Sequence, residues 1–142
     1  MRTHALHSNM HAVPRTITAA HEWGVTGLQY DSPNGILASS ALDGTIKLWN
    51  VETGKNVATL RGHTRGVYCC ACRDNLVVSG SVDETVRLWD KRDGSCIAVL
   101  KGHSDDATSV QLDAQADNVV SGSGDATIRY APPSSIACAF LF

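Results

Sequence analysis

The sequence predicts an all-β fold, built from four-stranded antiparallel units of about 40 residues that stack side by side. The first observation behind this is a repeat. "SALDGTIKLWNVETGKNVATLRGH" (Ser40 to His63) returns nearly unchanged as "GSVDETVRLWDKRDGSCIAVLKGH" (Gly80 to His103). Trp49 and Trp89 stand 40 residues apart, and so do His63 and His103, each following a glycine (Gly62, Gly102). The second observation is a side-chain period of two within each copy, the signature of strands. The third is the punctuation by short Asp- and Gly-containing turns, too tight to hold a crossover helix.

Three copies can be laid out in order. The first, from His21, reads "HEWGVTGLQYDSPNGILASSALDGTIKLWN"; the second, from His63, "HTRGVYCCACRDNLVVSGSVDETVRLWD"; the third, from His103, "HSDDATSVQLDAQADNVVSGSGDATIRYAP". Copies one and three align without gaps, and copy two is two residues shorter near Asp74. In copy two, Val77, Ser79 and Ser81 fall on one strand face, with Leu76, Val78 and Gly80 on the other. Asp83-Glu84 turns the chain into "TVRLW", and Asp93-Gly94 turns it again into "SCIAVL". The expected organisation is a flexible lead over residues 1–20, repeats over about 21–62, 63–102 and 103–131, and an atypical apolar tail over 132–142.

Composition narrows the function classes. With 142 residues, 43% hydrophobic and 18% charged, the chain is about one small domain with enough apolar material for a core. A net charge of −2 with scattered Lys and Arg argues against nucleic acid or an anionic membrane as partner. The longest apolar run, "IACAFLF" (Ile136 to Phe142), falls far short of the roughly 20 residues of a membrane span, so no membrane insertion is expected. Five cysteines in apolar contexts, and no apolar core in "MRTHALHSNM", point to a reducing, cytoplasmic setting. The absence of acidic residues before Glu22 is shared with transit peptides, but a disordered lead is the better account of it.

The Gly-His pairs, the "SGSxDxTxRLWD" core and the period near 40 resemble WD40 repeats, the blades of a β-propeller, over roughly residues 21–129. At finer scale "DSPNGILASSALDGTIKLWN" and "DNLVVSGSVDETVRLWD" are similar to fungal mitochondrial division WD40 adaptors, and also to F-box WD40 substrate receptors. The resemblance implies an incomplete propeller, two full four-stranded blades plus a broken third. It implies a non-catalytic scaffold that joins proteins in the cytoplasm, peripheral at the mitochondrial outer membrane during fission. The F-box alternative is a substrate receptor for ubiquitin ligation.

His63, Ser79 and Asp83, with Trp89 nearby, are the residue types of a nucleophilic triad. The set recurs as His21, Ser39, Asp43, Trp49 and as His103, Ser121, Asp125. A hydrolase needs one such site and would set one copy apart, and no copy departs in these residues. A stack of blades needs one tie per blade. The resemblance implies that tie as a chain of hydrogen bonds from Trp to Ser, Ser to His and His to Asp. Cys69, Cys70 and Cys72 alternate across a strand and cannot converge on one ion, so they read as core. His4, His7 and His11 have metal-like spacing but no folded support. "SGSGDAT" (Ser121 to Thr127) lacks the Lys and the helix of a phosphate loop. Hence neither cofactor nor metal is expected. The partner-binding candidates are Trp23, Arg65 and Asp105, two residues after each His, with Leu42 and Val82 just before an Asp; Trp and Arg are common interface anchors.

The third copy follows the pattern to Arg129. Ala131 then takes the Trp position, Pro132-Pro133 cannot donate to a ladder, and an apolar tail ends the sequence. So abrupt a switch is expected of an alternative exon, a retained intron, a shifted frame or a faulty gene model, hence a truncated isoform or a non-functional product. A stack with open edges is expected to be marginal alone and to self-associate through them.

Overall fold

The computed structural model describes residues 14–114 and 118–132. Among these residues the fold is all-β, eleven strands in three antiparallel sheets. The first sheet joins β1 (Val25–Asp31), β2 (Ile36–Ala41), β3 (Ile46–Asn50) and β4 (Lys55–Leu60) in that order. The second joins β5 (Val67–Arg73), β6 (Leu76–Ser81), β7 (Val86–Asp90) and β8 (Cys96–Leu100) in the same way. The third has β9 (Ala107–Leu112), β10 (Val119–Ser123) and β11 (Ile128–Ala131). Two four-stranded blades and a three-stranded one make an incomplete propeller.

The turns explain the hairpins. Between β1 and β2, Ser32–Asn34 form one 3-10 turn that Gly35 closes at φ 61, a left-handed conformation natural to glycine. Irregularities in register recur at matching places: Val25/Gly27 and Val67/Cys69 entering the first strand of a unit, Leu48/Trp49 and Leu88/Trp89 between its last two. Each of the latter is a bulge next to a tryptophan, the device by which a sheet re-aims one side chain.

The sheets face each other through their first strands: β5 packs on β1 and β2, and β9 on β5 and β6. Two apolar layers result. Between the first and second sheets lie Ala38, Ile46, Leu48, Leu60, Val67, Cys70, Cys72, Val77 and Trp89. Between the second and third lie Ala71, Val78, Val86, Leu88, Ala98, Ala107, Val110 and Val119. Alternation therefore sends Val77 to one layer and Val78 to the other. Polar links also cross between sheets: Lys91 pairs with Asp31, and Arg73 Nη1 donates to Ala114 O at 2.9 Å. At the two ends of the stack Leu28 and Tyr30 on β1, and Ile128 and Tyr130 on β11, stay exposed.

In the third unit the repeat motif ends at Arg129. The ladder does not stop there, because Tyr130 pairs with Val120 and Ala131 with Val119. Backbone pairing needs no particular side chain, so the strand continues where the motif has ceased. The tail over 133–142 lies outside the described residues.

Candidate functional site

Each unit carries one buried polar chain that ties the segment before its first strand to the turn between its second and third. In the second unit the Trp89 indole N–H donates to Ser79 Oγ at 2.9 Å, and Ser79 Oγ–H donates to His63 Nε2 at 2.8 Å. His63 Nδ1–H then donates to Asp83 Oδ2 at 2.7 Å. The first unit repeats this with Trp49 to Ser39 (2.8 Å), Ser39 to His21 (2.7 Å) and His21 to Asp43 (3.0 Å). In this arrangement a neutral imidazole uses both nitrogens and every donor finds an acceptor, as burial demands.

A further member of each set escapes sequence reading. Thr45, Thr85 and Thr127 donate through Oγ1 to the Oδ1 of Asp43, Asp83 and Asp125, at 2.6, 2.5 and 2.6 Å. A backbone N–H of Glu22, Thr64 or Ser104 adds a bond to Oδ2 of the same aspartates, at 3.1, 3.1 and 3.0 Å. The signal for the threonines is Asp-x-Thr, present in all three copies.

These partners set the charge states. Burial opposes ionisation of Asp43 and Asp83, but the Thr and His hydrogen bonds outweigh it and carry both from 3.8 to about 2. At Asp125 the Thr127 bond is the main influence, and it lowers the carboxyl further. Burial depresses His63 below the ordinary 6.5 despite Asp83 beside it. An unfolded chain therefore takes up protons earlier than the folded one at both groups. The His63 contribution is complete above pH 6.5 and fades below it, whereas the carboxylate contribution holds above 3.8 and is gone by about 2. Thermal melts from pH 8 to pH 2 are expected to show a midpoint that is level down to pH 7, then declines in two stages. A midpoint higher at pH 5 than at pH 8 would contradict the His63 assignment.

The geometry matches a Ser-His-Asp triad, yet in the first two units the serine is enclosed. Ser79 is 0% exposed and its oxygen already accepts the indole, so no substrate carbonyl can approach it. The third set keeps its His, Ser and Asp but lacks the tryptophan, whose position Ala131 takes. His103 bonds Ser121 and Asp125 at 2.9 Å each, but Ala131 offers no indole, and Ser121 lines an open groove.

Among the described residues no cluster of three His, Cys, Asp or Glu could hold a metal ion. His4, His7 and His11 lie outside them. Cys70 and Cys72 face the first layer and Cys69 the second. Burial pushes Cys69 and Cys72 up to about 11 and Cys70 to about 12, so these thiols are inert core. Ser121 to Thr127 spans the end of β10 and a turn, where Ala126 has φ 65.

On the surface, Trp23, Leu42 and Arg65 come together around a cleft of about 380 Å³ between the first two units, with Glu22 and Thr64 beside them. Trp23 is 67% exposed. Leu42 N–H donates to Gly24 O at 3.0 Å, and a side chain on Gly66 would meet Leu42 Cδ2 at 3.2 Å, so Gly66 clears the floor of the cleft. Gly44 stands at φ 82, where a side chain would meet the Arg65 carbonyl oxygen at 3.2 Å. Val82 and Asp105 are not part of this cleft. Val82 is half-buried and repeats the Leu42 bond, donating to Gly66 O at 3.0 Å. The Asp105 carboxylate folds back on the Asp106 N–H at 2.8 Å.

Comparison with known proteins adds two findings. The WD40 family profile (WD domain, G-beta repeat) matches residues 13–50, 54–90 and 94–130. Among curated proteins, "Mitochondrial division protein 1" of Sclerotinia sclerotiorum is 45% identical over 58 residues, that of Aspergillus clavatus 40% over 58, and that of Neurospora crassa 34% over 58. Each alignment covers 41% of this chain and 9% of the relative, so the likeness spans less than a tenth of those proteins.

Proposed function

Because the chain belongs to the WD40 repeat family, we propose that it is a non-catalytic protein-interaction scaffold that serves mitochondrial division from the cytoplasmic side of the organelle. The observation that carries this reading is the cleft at Trp23, Leu42 and Arg65. It sets an exposed indole and a guanidinium, the side chains most enriched at binding hot spots, on a floor of glycine backbone. The mitochondrial part rests on the relatives' name alone. Among the described residues no helix is long and apolar enough to cross a membrane, and a peripheral attachment through a protein partner fits that. On this reading the His-Ser-Asp sets and Trp49 and Trp89 hold the units in register, while Val82 and Asp105 play a lesser part at the next inter-unit position. An F-box-type receptor for modified substrates gains no support, since the cleft presents one arginine, Arg65.

The test is proximity labelling in cells from the full chain, unmodified and with Trp23→Ala and Arg65→Ala together. Both side chains are exposed, so the pair is expected to leave stability within about 1 kcal/mol. The unmodified chain is expected to label proteins of the mitochondrial surface, and the double variant to lose that labelling at least about tenfold. Undiminished labelling by the variant would remove the cleft from the proposal. Neighbours without any mitochondrial protein would remove the organelle.

A further inference from the structure

Ala131 stands on the rung opposite Val119, as Trp89 stands opposite Val77 and Trp49 opposite Leu37. The consequence is read by comparing the two apolar layers. In the first, the Trp89 ring is 1% exposed among Ile46, Leu60 and Val77, with its N–H on Ser79. Gly62 makes way for it, since a Cβ there would lie 3.0 Å from Trp89 Cη2.

In the second layer the corresponding place is an open groove of about 220 Å³, whose lining includes Val86, Leu100, Val119, Ser121 and Ala131 as well as the charged side chains of Lys101 and Arg129. Val86, Leu100 and Val119 are the counterparts of Ile46, Leu60 and Val77 by register. Ser121 is the counterpart of Ser79, and among the described residues it keeps its His103 partner at 2.9 Å while lacking an indole. Among the described residues the counterparts of Ile46, Leu60, Val77 and Ser79 are thus retained, Ala131 stands where the ring-bearing residue would, and Arg129 lies against Gly102, the counterpart of Gly62.

We infer that this groove is a binding site for a free indole ring, held between Val86, Leu100 and Val119, with its N–H donating to Ser121 Oγ. The occupant is a small molecule and not a peptide-borne tryptophan, because the backbone and Cβ of Ala131 already fill the place where the linker of such a side chain would run. The donor matters because Ser121 Oγ, like Ser79 Oγ, has room to accept a second bond from the groove side. An aromatic ring without N–H would leave that acceptor position unused, with Ser121 bonded to His103 alone.

The test uses the full chain with indole, N-methylindole and N-acetyltryptophanamide as probes, read by thermal unfolding and by backbone amide NMR shifts. Indole is expected to raise the melting midpoint with dose, with shifts centred on Val86, Leu100, Val119 and Ser121. N-methylindole, which cannot donate, is expected to bind about tenfold more weakly. Ala131→Trp, which supplies the ring covalently, is expected to abolish the response. Should that variant not fold, the NMR map on the unmodified chain decides alone. No indole response, or shifts elsewhere, would overturn the site. Equal binding of N-methylindole would overturn the role of Ser121, and equal or tighter binding of N-acetyltryptophanamide would overturn the free ring as occupant.

Discussion

Replacing Trp89 with alanine is expected to destabilise the chain by about 3–5 kcal/mol, the usual range for deleting a large buried aromatic. Three effects act together. The ring belongs to the second sheet but fills the layer against Ile46 and Leu60 of the first, so its loss opens a cavity where two sheets meet. Ser79 Oγ loses its indole donor and keeps only His63. The bulge at Leu88/Trp89, which aims the ring, is left with nothing to aim. Since whole domains are stable by only about 5–15 kcal/mol, the variant is expected to be near unfolding at room temperature. Trp49 lies outside both apolar layers, and Trp49→Ala is expected to have the smaller effect. Urea titrations check this: the midpoint should drop most for Trp89→Ala with little change in slope. A loss below about 1 kcal/mol at Trp89 would show that the sheets do not depend on that ring.

Asp83→Ala is expected to cost at least about 3 kcal/mol, from groups left without an acceptor. The carboxylate takes His63 Nδ1–H at 2.7 Å, the Thr64 N–H at 3.1 Å, the Thr85 N–H at 3.0 Å and the Thr85 hydroxyl. Its side chain is 7% exposed, so water cannot replace all four bonds. Hydrogen bonds to a charged group contribute about 1.5–3 kcal/mol each, and part of that sum returns through rehydration of the turn. Asp83→Asn keeps one carbonyl oxygen and is expected to fall between the two. Lys55→Ala, at an exposed site on β4, serves as the neutral control within about 0.5 kcal/mol. Equilibrium unfolding at pH 7 decides. An Asp83→Ala chain as stable as the Lys55→Ala chain would mean that the tie holds nothing.

The repeating parts of this molecule are legible in its sequence. Two-residue alternation separates Val77 from Val78 and Cys70 from Cys69, and the layers receive them accordingly. A spacing of two residues past each His brings Trp23 and Arg65 to one cleft. The same rule says nothing useful of Asp105, because a carboxylate can turn onto its own neighbouring N–H where a guanidinium cannot. Thr45, Thr85 and Thr127 are hidden because threonine at the head of a strand reads as an ordinary β-former, though each stands just before its strand and its hydroxyl serves an aspartate two residues earlier. The bulges at Trp49 and Trp89 break the alternation on which strand reading depends, and so cannot be drawn from it. The missing tryptophan at Ala131 is visible as a broken motif, but a motif records what is absent, and only the neighbouring walls reveal that the space persists.

Trp49 and Trp89 close buried ties, whereas Trp23 stands exposed on the proposed binding face. Hydrogen exchange of the three indole N–H groups, followed by NMR after transfer to heavy water, reads this in one experiment. The expected result is two protected indoles, Trp89 the slower to exchange, and one, Trp23, lost at once. Three indoles exchanging together, or Trp89 as fast as Trp23, would contradict it.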